Sequence, residues 1–255
     1  LCASLPVCPA HLPRLTGPKR PYSFPTSHLP PPTSPMLQLF YGGTFDPVHN
    51  GHLAIAAAAR DELECDVRLM PAADPPHRAP PGADAEQRAR MLELAVADQP
   101  GLCVDRRELQ RQGRSYTIDT LLQLRGELGW DQPLALLVGA DSFIGLPSWH
   151  EWRGLFTYTH FVVAQRPGTP LDGDLPRALV GEMQGRWADS AEEIRGTPAG
   201  KVLRLRQPLH TGSATEVRRL IATGAPWQHL VPAAVAAFIL AEGLYSRPAG
   251  EHSPL

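Results

Sequence analysis

The feature that most constrains the fold of this chain is a regular alternation of short apolar runs with segments of helical pattern, which starts at Met36. Two parallel strands are joined by a crossover connection that is usually a helix, so this alternation favours a parallel sheet. We therefore predict an α/β fold with helices on both faces of the sheet. Six apolar runs are the candidate strands: 37–41, 67–70, 102–105, 134–138, 161–164 and 202–205.

Local start and stop signals place helices between these strands. Segment 52–63 is rich in alanine, which is a strong helix former. Asp84 is predicted to cap the next helix, with Gln87 at the capping-box position. Thr117 is predicted to cap a third helix that ends near Gly129.

The C-terminal part of the chain predicts a small helical subdomain. Residues 213–216 read as a capping box that opens a helix, and Gly224 is its predicted end. Pro232 is predicted at a first-turn position of an apolar helix that stops at Gly243.

Both ends of the chain are predicted to lie outside the folded domain, which we place at 36–246. Residues 1–35 contain ten prolines, which remove amide donors and disfavour regular structure. This segment is either a disordered tail or an extension translated from an upstream start, and both alternatives predict that its loss leaves function intact. Residues 247–255 are predicted to be a second loose end.

Composition excludes several classes of function. The formal net charge is −2, so the chain has no overall basic field for nucleic acid or for an anionic membrane. No apolar run approaches the roughly 20 residues of a membrane-spanning helix. The four cysteines form no C-x-x-C pair, so we predict free thiols in the cytoplasm and no protein metal site.

The string G-G-T-F-D-P-V-H-N-G-H at 42–52 directly follows the first strand. Gly42 and Gly43 allow the backbone to turn and to approach a ligand closely. His49 and His52 share one face at the start of a helix, whose free amides favour phosphate. We expect Gly51 to leave room for a base or a ribose. The alternative is a glycine turn with two chance histidines, but the complete string in this context favours phosphate chemistry.

This string resembles the H-x-G-H signature of the nucleotidyltransferase superfamily, which transfers nucleotidyl groups and releases pyrophosphate. Its form is most similar to that of nicotinate-nucleotide adenylyltransferases, whereas pantetheine-phosphate adenylyltransferases and glycerol-phosphate cytidylyltransferases carry variants. The resemblance extends from about Met36 to Tyr245, with the motifs in family order. It implies a Rossmann-like nucleotidyltransferase domain that joins AMP from ATP to nicotinate mononucleotide.

Two loops narrow the resemblance further. Pro75-Pro76-His77-Arg78 resembles the family's P-P-H-[KR] loop near the triphosphate, although an exposed polar loop is the alternative. The triplet 115–117 resembles the S-Y-T element that contacts the nicotinate portion. Simple capping of the helix is compatible with that role.

The loops after the fourth and fifth strands resemble further elements of the acceptor site. Asp141 lies in a G-x-D block and either binds a ribose or caps a helix. Trp149 corresponds to the tryptophan that stacks on the pyridine ring in relatives, and we leave Trp152 in the core. Arg166 opens an R-P-G turn that resembles the family's own.

The string T-G-S-A-T-E-V-R-R resembles the superfamily's second signature, I-S-[SA]-T-x-[IV]-R. Ser213, Thr215 and Arg218 would then grip the β- and γ-phosphates at a helix start. Gly212 stands where isoleucine is usual, which changes local packing but not the polar contacts. An ordinary capped helix is the alternative.

These resemblances imply roles for individual residues, and His49, His52 and Arg218 are the predicted catalytic residues. A Mg²⁺ ion is expected to accompany ATP, held mostly by phosphates and water. The predicted ATP-binding residues are Gly42, Gly43, Thr44, Phe45, His49, His52, His77, Arg78, Ser213, Thr215 and Arg218. The predicted nicotinate-nucleotide-binding residues are Ser115, Tyr116, Thr117, Asp141, Trp149 and Arg166.

Other functions stay open at this point. An adenylyltransferase acting on phosphopantetheine is the nearest, although such chains are shorter and lack the P-P-H-R and S-Y-T…P-S-W elements. Nicotinamide mononucleotide as the preferred acceptor is a second. A non-catalytic nucleotide-binding module is a third, since fold does not determine function. The intact His49/His52 pair and Arg218 argue against it, and a purely structural interaction protein leaves these motifs unexplained.

Overall fold

The computed structural model of the chain describes residues 36–73, 82–111, 115–165, 175–207 and 212–246. The predicted end segments 1–35 and 247–255 lie outside these residues. The strands are β1 (Gln38–Gly43), β2 (Val67–Pro71), β3 (Leu102–Val104), β4 (Leu134–Gly139), β5 (His160–Ala164), β6 (Trp187–Ala188) and β7 (Val202–Arg204). The α-helices are α1 (Asn50–Leu63), α2 (Ala85–Val96), α3 (Thr117–Leu128), α4 (Ala140–Ile144), α5 (Trp152–Tyr158), α6 (Arg177–Glu182), α7 (Ala191–Arg195), α8 (Ala214–Thr223) and α9 (Ala233–Glu242).

The described strands form one parallel sheet in the order β3-β2-β1-β4-β5-β7-β6. The α/β prediction is therefore confirmed, and each of the six predicted runs overlaps a strand. Strand β6 was not predicted, because a strand of two residues is too short to show an alternation of apolar and polar side chains. It lies with α6 and α7 within 169–200, a stretch for which the sequence offers no interpretation.

Helices cover both faces of the sheet, and alternation along β1 shows why. Leu39 and Tyr41 belong to one apolar core, whereas Phe40 between them belongs to the other, because successive side chains of a strand point to opposite faces. Helices α1, α2, α7, α8 and α9 supply buried residues to the first core, and α3, α4, α5 and α6 supply them to the second. The C-terminal helices thus share a core with α1 and α2.

Most of the predicted helix ends are observed. Asp84 caps α2, and its side chain and that of Gln87 form the reciprocal hydrogen bonds of a capping box. The prediction that Thr117 caps α3 is wrong by one position, because Tyr116 is the extended residue at the cap and Thr117 is already helical. The carboxylate of Asp119 accepts a hydrogen bond from the Tyr116 amide, which stabilises this helix start.

The C-terminal caps differ from the prediction in detail. Ser213 caps α8 by accepting a hydrogen bond from the Glu216 amide, but the Glu216 carboxylate pairs with Arg219 instead of completing the capping box. Pro232 is the cap of α9 and precedes its first turn. Gly224 and Gly243 end their helices in the left-handed conformation, as predicted.

The topology locates a crevice at the carboxyl edge of the sheet. Strand β1 pairs with β2 on one side and with β4 on the other, so strands after β3 are added on the opposite side of β1 from β2 and β3. Ligands of open α/β sheets bind outside the carboxyl ends of the strands at such a point. No helix among the described residues is long and apolar enough to cross a membrane.

Candidate active site

Two adjoining cavities lie at the carboxyl ends of β1 and β4, with volumes of about 410 and 340 Å³. They share the five residues 42–44 and 141–142, which therefore form the boundary between them. The first cavity is lined by residues 41–46, His49, His52, Gly82, Gly139, 141–142, 213–215 and Arg218. The second cavity is lined by residues 42–44, Met70, Ala72, Glu108, 115–117, Leu136, Val138, 141–142, Gly145 and 148–150.

The two predicted catalytic histidines lie together at the start of α1. His49 is the cap residue and is buried, and its Nδ1 accepts a hydrogen bond of 3.1 Å from the Gly51 amide. His52 Nδ1 accepts one of 3.3 Å from the His49 amide. The ring centroids are 3.7 Å apart, so both imidazoles are held by backbone groups against one another.

These hydrogen bonds determine where each neutral ring carries its proton. A neutral imidazole that accepts at Nδ1 has its proton on Nε2, so the bonding pattern assigns the Nε2–H tautomer to both rings. Each histidine is thereby a hydrogen-bond donor in its neutral form, without the second ring proton that would make it a cation. That arrangement suits phosphate oxygens in the first cavity, which both residues line.

The His49 ring packs closely against Gly51, because a Cβ atom at Gly51 would lie 3.0 Å from that imidazole. The expectation that Gly51 leaves room for a base or a ribose stays a prediction. Gly212 also lies beside this ring, since its Cβ would be 3.6 Å from His49 Nδ1. Glycine at position 212 is thus next to a predicted catalytic side chain, and Gly42 has open space beside it.

Phe45 supports the histidines from the loop after β1. It has a positive φ of 51°, and its buried ring lies 5.0 Å from the His52 ring and 5.4 Å from the Tyr41 ring. A Cβ atom at Gly43 would be 2.9 Å from this ring. The second glycine of the motif therefore makes room for Phe45, a side chain that we had predicted only as an ATP contact.

Asp46 organises the first cavity, and sequence reasoning missed it. Its buried carboxylate accepts hydrogen bonds from the Gly82 amide at 2.8 Å, the Ala83 amide at 3.1 Å and the Tyr245 hydroxyl at 2.7 Å. Arg218 Nη1 lies 3.6 Å from Asp46 Oδ2 and donates to the Asp46 carbonyl. Burial and this carboxylate raise the pKa of Tyr245, which stays a hydrogen-bond donor.

Arg88 is a second residue that the sequence did not reveal. It lies on α2 and is 1% exposed, and its guanidinium donates to the carbonyls of Thr44 at 2.8 Å and Ala73 at 2.9 Å. Both acceptors are backbone atoms, which leave no trace in the sequence. Arg88 thereby ties the motif loop after β1 to the loop after β2.

The second signature contributes the far wall of the first cavity. Thr215 lies in the first turn of α8, with its hydroxyl 3.4 Å from Arg218 Nη2. Ser213 Oγ is the acceptor of the α8 cap, which leaves its hydroxyl proton for a ligand. The structure therefore brings the predicted residues Ser213, Thr215 and Arg218 together with the histidine pair.

The second cavity gathers the predicted acceptor residues. The triplet 115–117 and Trp149 line it, and the Tyr116 ring lies 4.6 Å from the ring of His150. Trp152 is buried in the core, as expected, and Trp149 is only partly buried. Asp141 lies in the first turn of α4 and lines both cavities.

Three predicted site residues, His77, Arg78 and Arg166, lie outside the described residues. Among the described residues, no group of three or more His, Cys, Asp and Glu side chains has the arrangement of a metal site. The roles predicted for His77, Arg78 and Arg166 stay predictions.

Comparison with known proteins agrees with this geometry. The cytidylyltransferase-like family model matches residues 40–220. The chain is similar to a probable nicotinate-nucleotide adenylyltransferase of Stenotrophomonas maltophilia, with 59% identity over 221 residues that cover 83% of this chain and 98% of the relative. A probable nicotinate-nucleotide adenylyltransferase of Xylella fastidiosa is 46% identical over 215 residues, covering 83% and 97%.

Solved structures share the fold. The nicotinic acid mononucleotide adenylyltransferase of Plasmodium falciparum, complexed with NaAD, superimposes with a TM-score of 0.62 over 82% of this chain and 97% of its own. Its complex with APC gives a TM-score of 0.61. Sequence identity is 16% in both cases, so these structures support the architecture alone.

Proposed function

The chain belongs to the nicotinate-nucleotide adenylyltransferases of the cytidylyltransferase-like family, and we propose that its two cavities hold ATP and nicotinate mononucleotide side by side. The enzyme moves AMP from ATP to nicotinate mononucleotide and gives deamido-NAD and pyrophosphate. The observation that supports this most directly is the shared boundary of the cavities at 42–44 and 141–142, where the two reacting phosphates would meet.

The reaction needs no protein nucleophile. A phosphate oxygen of nicotinate mononucleotide attacks the α-phosphorus of ATP in line, and the bond from that phosphorus to the β-phosphate bridging oxygen breaks. Pyrophosphate takes the electron pair of that bond. Catalysis then consists of holding two anions in the attack geometry and stabilising the charge that collects between them.

The histidine pair is the main source of that stabilisation in our proposal. His49 and His52 donate from Nε2 to oxygens of the α-phosphate and of the leaving group, at the N-terminus of α1. Neutral donors bound to the backbone need no rearrangement during the reaction. Gly42 has no atom within 4 Å of its Cβ position, so a phosphate can approach its backbone closely.

The distal phosphates lie against α8 in this proposal. Arg218 supplies a fixed positive charge because Asp46 orients its guanidinium from behind. Ser213 and Thr215 add hydroxyl donors at the start of the same helix. His77 and Arg78 are proposed to complete this grip from the loop after β2.

The acceptor occupies the second cavity in this proposal. Trp149 stacks on the pyridine ring, and the start of α3 at 115–117 receives the carboxylate. Asp141 binds a ribose hydroxyl at the boundary, and Arg166 is proposed to reach the nucleotide from the loop after β5.

A Mg²⁺ ion fits this site as a partner of ATP. The Asp46 carboxylate is already engaged by two amides and a hydroxyl, so it is a poor ligand for a metal. The ion would therefore be held by triphosphate oxygens and water, with Asp141 at the cavity boundary. When bound, it neutralises part of the phosphate charge. We also propose a cytoplasmic location, because the four cysteines of the sequence show no spacing typical of a disulfide framework or a zinc site.

The deciding experiment measures pyrophosphate release from ATP and Mg²⁺ with each of three acceptors supplied separately: nicotinate mononucleotide, nicotinamide mononucleotide and phosphopantetheine. We expect release to favour nicotinate mononucleotide strongly. Preference for another acceptor would keep the transfer chemistry and overturn the acceptor assignment. No release with any acceptor would favour a non-catalytic nucleotide-binding module.

A further inference from the structure

A positively charged side chain lies directly behind the second cavity. Arg111 Nη1 donates to Ser115 Oγ at 2.6 Å and to Thr120 Oγ1 at 3.0 Å, and Nη2 donates to Gln123 Oε1 at 2.8 Å. Ser115 lines the cavity, whereas Arg111 is half-buried behind it. All three of these acceptors are uncharged.

The neighbouring arginines of the same turn have a different environment. Arg106 forms ion pairs with Glu86 and Glu93, and Arg107 forms ion pairs with Asp105 and Glu127. Within the described parts of the chain, no carboxylate oxygen lies within 4.0 Å of the Arg111 guanidinium. The next three residues of the sequence, Gln-Gly-Arg at 112–114, lie outside the described residues and include no acidic residue. The charge of Arg111 is thus less offset than those of its neighbours.

Glu108 holds this arrangement from the cavity side. Its carboxyl is buried and lines the second cavity, and Oε1 accepts a hydrogen bond of 2.8 Å from Thr120 Oγ1. The Thr120 hydroxyl therefore lies between Glu108 and Arg111, donating to the first and accepting from the second. Burial raises the pKa of Glu108, whereas the Thr120 hydroxyl and the charge of Arg111 lower it, so Glu108 and Arg111 interact across Thr120.

We propose that Arg111 is a specificity-determining residue, which acts through Ser115 to favour an acceptor that carries a carboxylate over one that carries an amide. This inference rests on the proposed function, because it assigns the second cavity to the mononucleotide. Arg111 is a positioning residue here, since Ser115 and not the guanidinium lines the cavity.

The physical basis is a difference in charge between two otherwise matching acceptors. Nicotinate and nicotinamide mononucleotides share the ribose and the phosphate, so a nearby cation interacts differently only with the carboxylate. Ser115 Oγ accepts from Arg111, which directs its own hydroxyl proton outward as a donor. A single charge at several ångströms in a partly buried site changes the preference about tenfold.

The test compares kcat/KM for the two mononucleotides in wild-type protein and in Arg111→Gln. We expect the preference for nicotinate mononucleotide to fall about tenfold, through a higher KM for that acceptor with the KM for ATP unchanged. Arg111→Lys retains the charge and should recover most of the preference. Arg106→Gln is the matched control, because it removes an equal charge from an arginine that is paired with carboxylates; its preference should equal that of wild type.

An unchanged preference in folded Arg111→Gln would overturn this inference while leaving the proposed function intact. Wild-type protein that is inactive with both mononucleotides would instead overturn the proposed function. Circular dichroism melting shows whether the variant folds. If it does not fold, Ser115→Ala decides, because it removes the hydroxyl through which Arg111 acts: a lowered preference supports the inference and an unchanged one refutes it.

Discussion

At the scale of single residues, the histidine pair shows how a short motif prepares a donor site. The backbone amides of His49 and Gly51 donate to the two Nδ1 atoms, so the proton of each neutral ring is on Nε2. Glycine suits position 51 because a Cβ atom there would be only 3.0 Å from the His49 ring. The glycine and the histidines are therefore one unit, in which each residue determines the position of another.

Replacing His52 by alanine tests this unit at the residue scale. We expect His52→Ala to lower kcat by about 10²- to 10³-fold, because a donor to the transition-state charge is lost. The protein should stay folded, since His52 is only partly buried. Steady-state pyrophosphate release measures kcat, and His229→Ala, an exposed histidine outside both cavities, is the control. Near-normal turnover in His52→Ala would rule out this mechanism.

At the scale of elements, one buried arginine joins the ends of several helices and strands. Arg125 on α3 is 2% exposed, and within the described parts of the chain its guanidinium donates only to backbone carbonyls. Burial without a carboxylate lowers the pKa of Arg125. Two of the acceptors belong to the ends of α3 and α5, where the helix dipole favours a cation. The acceptors are the carbonyls of Tyr158, Gly129, Trp130, Gln132 and Pro198.

Removing this guanidinium tests its contribution to the packing of elements. Arg125→Met keeps much of the apolar stem but leaves several buried carbonyls without a donor, so we expect a loss of about 3 kcal/mol or more in the free energy of unfolding. Urea denaturation measures the change. Arg90→Met on α2 is the matched control, because Arg90 is exposed and pairs only with Glu93. Equal midpoints for the two variants would contradict the role of Arg125.

At the scale of the whole molecule, a buried histidine links stability to pH. His160 at the start of β5 is fully buried; its Nε2 donates to the Thr197 carbonyl at 2.7 Å and its Nδ1 accepts from the Lys201 amide at 3.0 Å. Burial lowers the pKa of His160 to about 4, from 6.5. The unfolded chain therefore binds a proton that the folded chain excludes, and stability falls as the pH drops below about 6.5.

Substitution of His160 should flatten this pH dependence. Between pH 7.5 and pH 5.0 the histidine accounts for a loss of about 2 kcal/mol in the free energy of unfolding of wild-type protein. We expect His160→Asn, whose side-chain oxygen can replace the Nδ1 acceptor, to lack this part of the slope. Urea denaturation at the two pH values gives the slopes, with exposed His229→Asn as the control. A slope in His160→Asn that equals wild type would refute the assignment.

The sequence was sufficient for the sheet, most helix ends and the functional motif. Strands and helices have periods of two and 3.6 residues, and caps act within one turn, so both are visible in a single stretch of chain. His49, His52, Ser213, Thr215 and Arg218 were predicted because each lies in a short string with a recognisable chemistry. The triplet 115–117, which lines the second cavity and is a predicted acceptor contact, lies in such a string too.

The partners of these residues required the folded chain. Asp46 lies inside the first motif, yet its donors come from Gly82, Ala83 and Tyr245, far along the sequence. Arg88 binds backbone carbonyls, which every residue possesses and no pattern records. The order of strands in the sheet determines which distant loops meet at its carboxyl edge. Side-chain pairs across that edge therefore exist only once the parallel sheet has assembled.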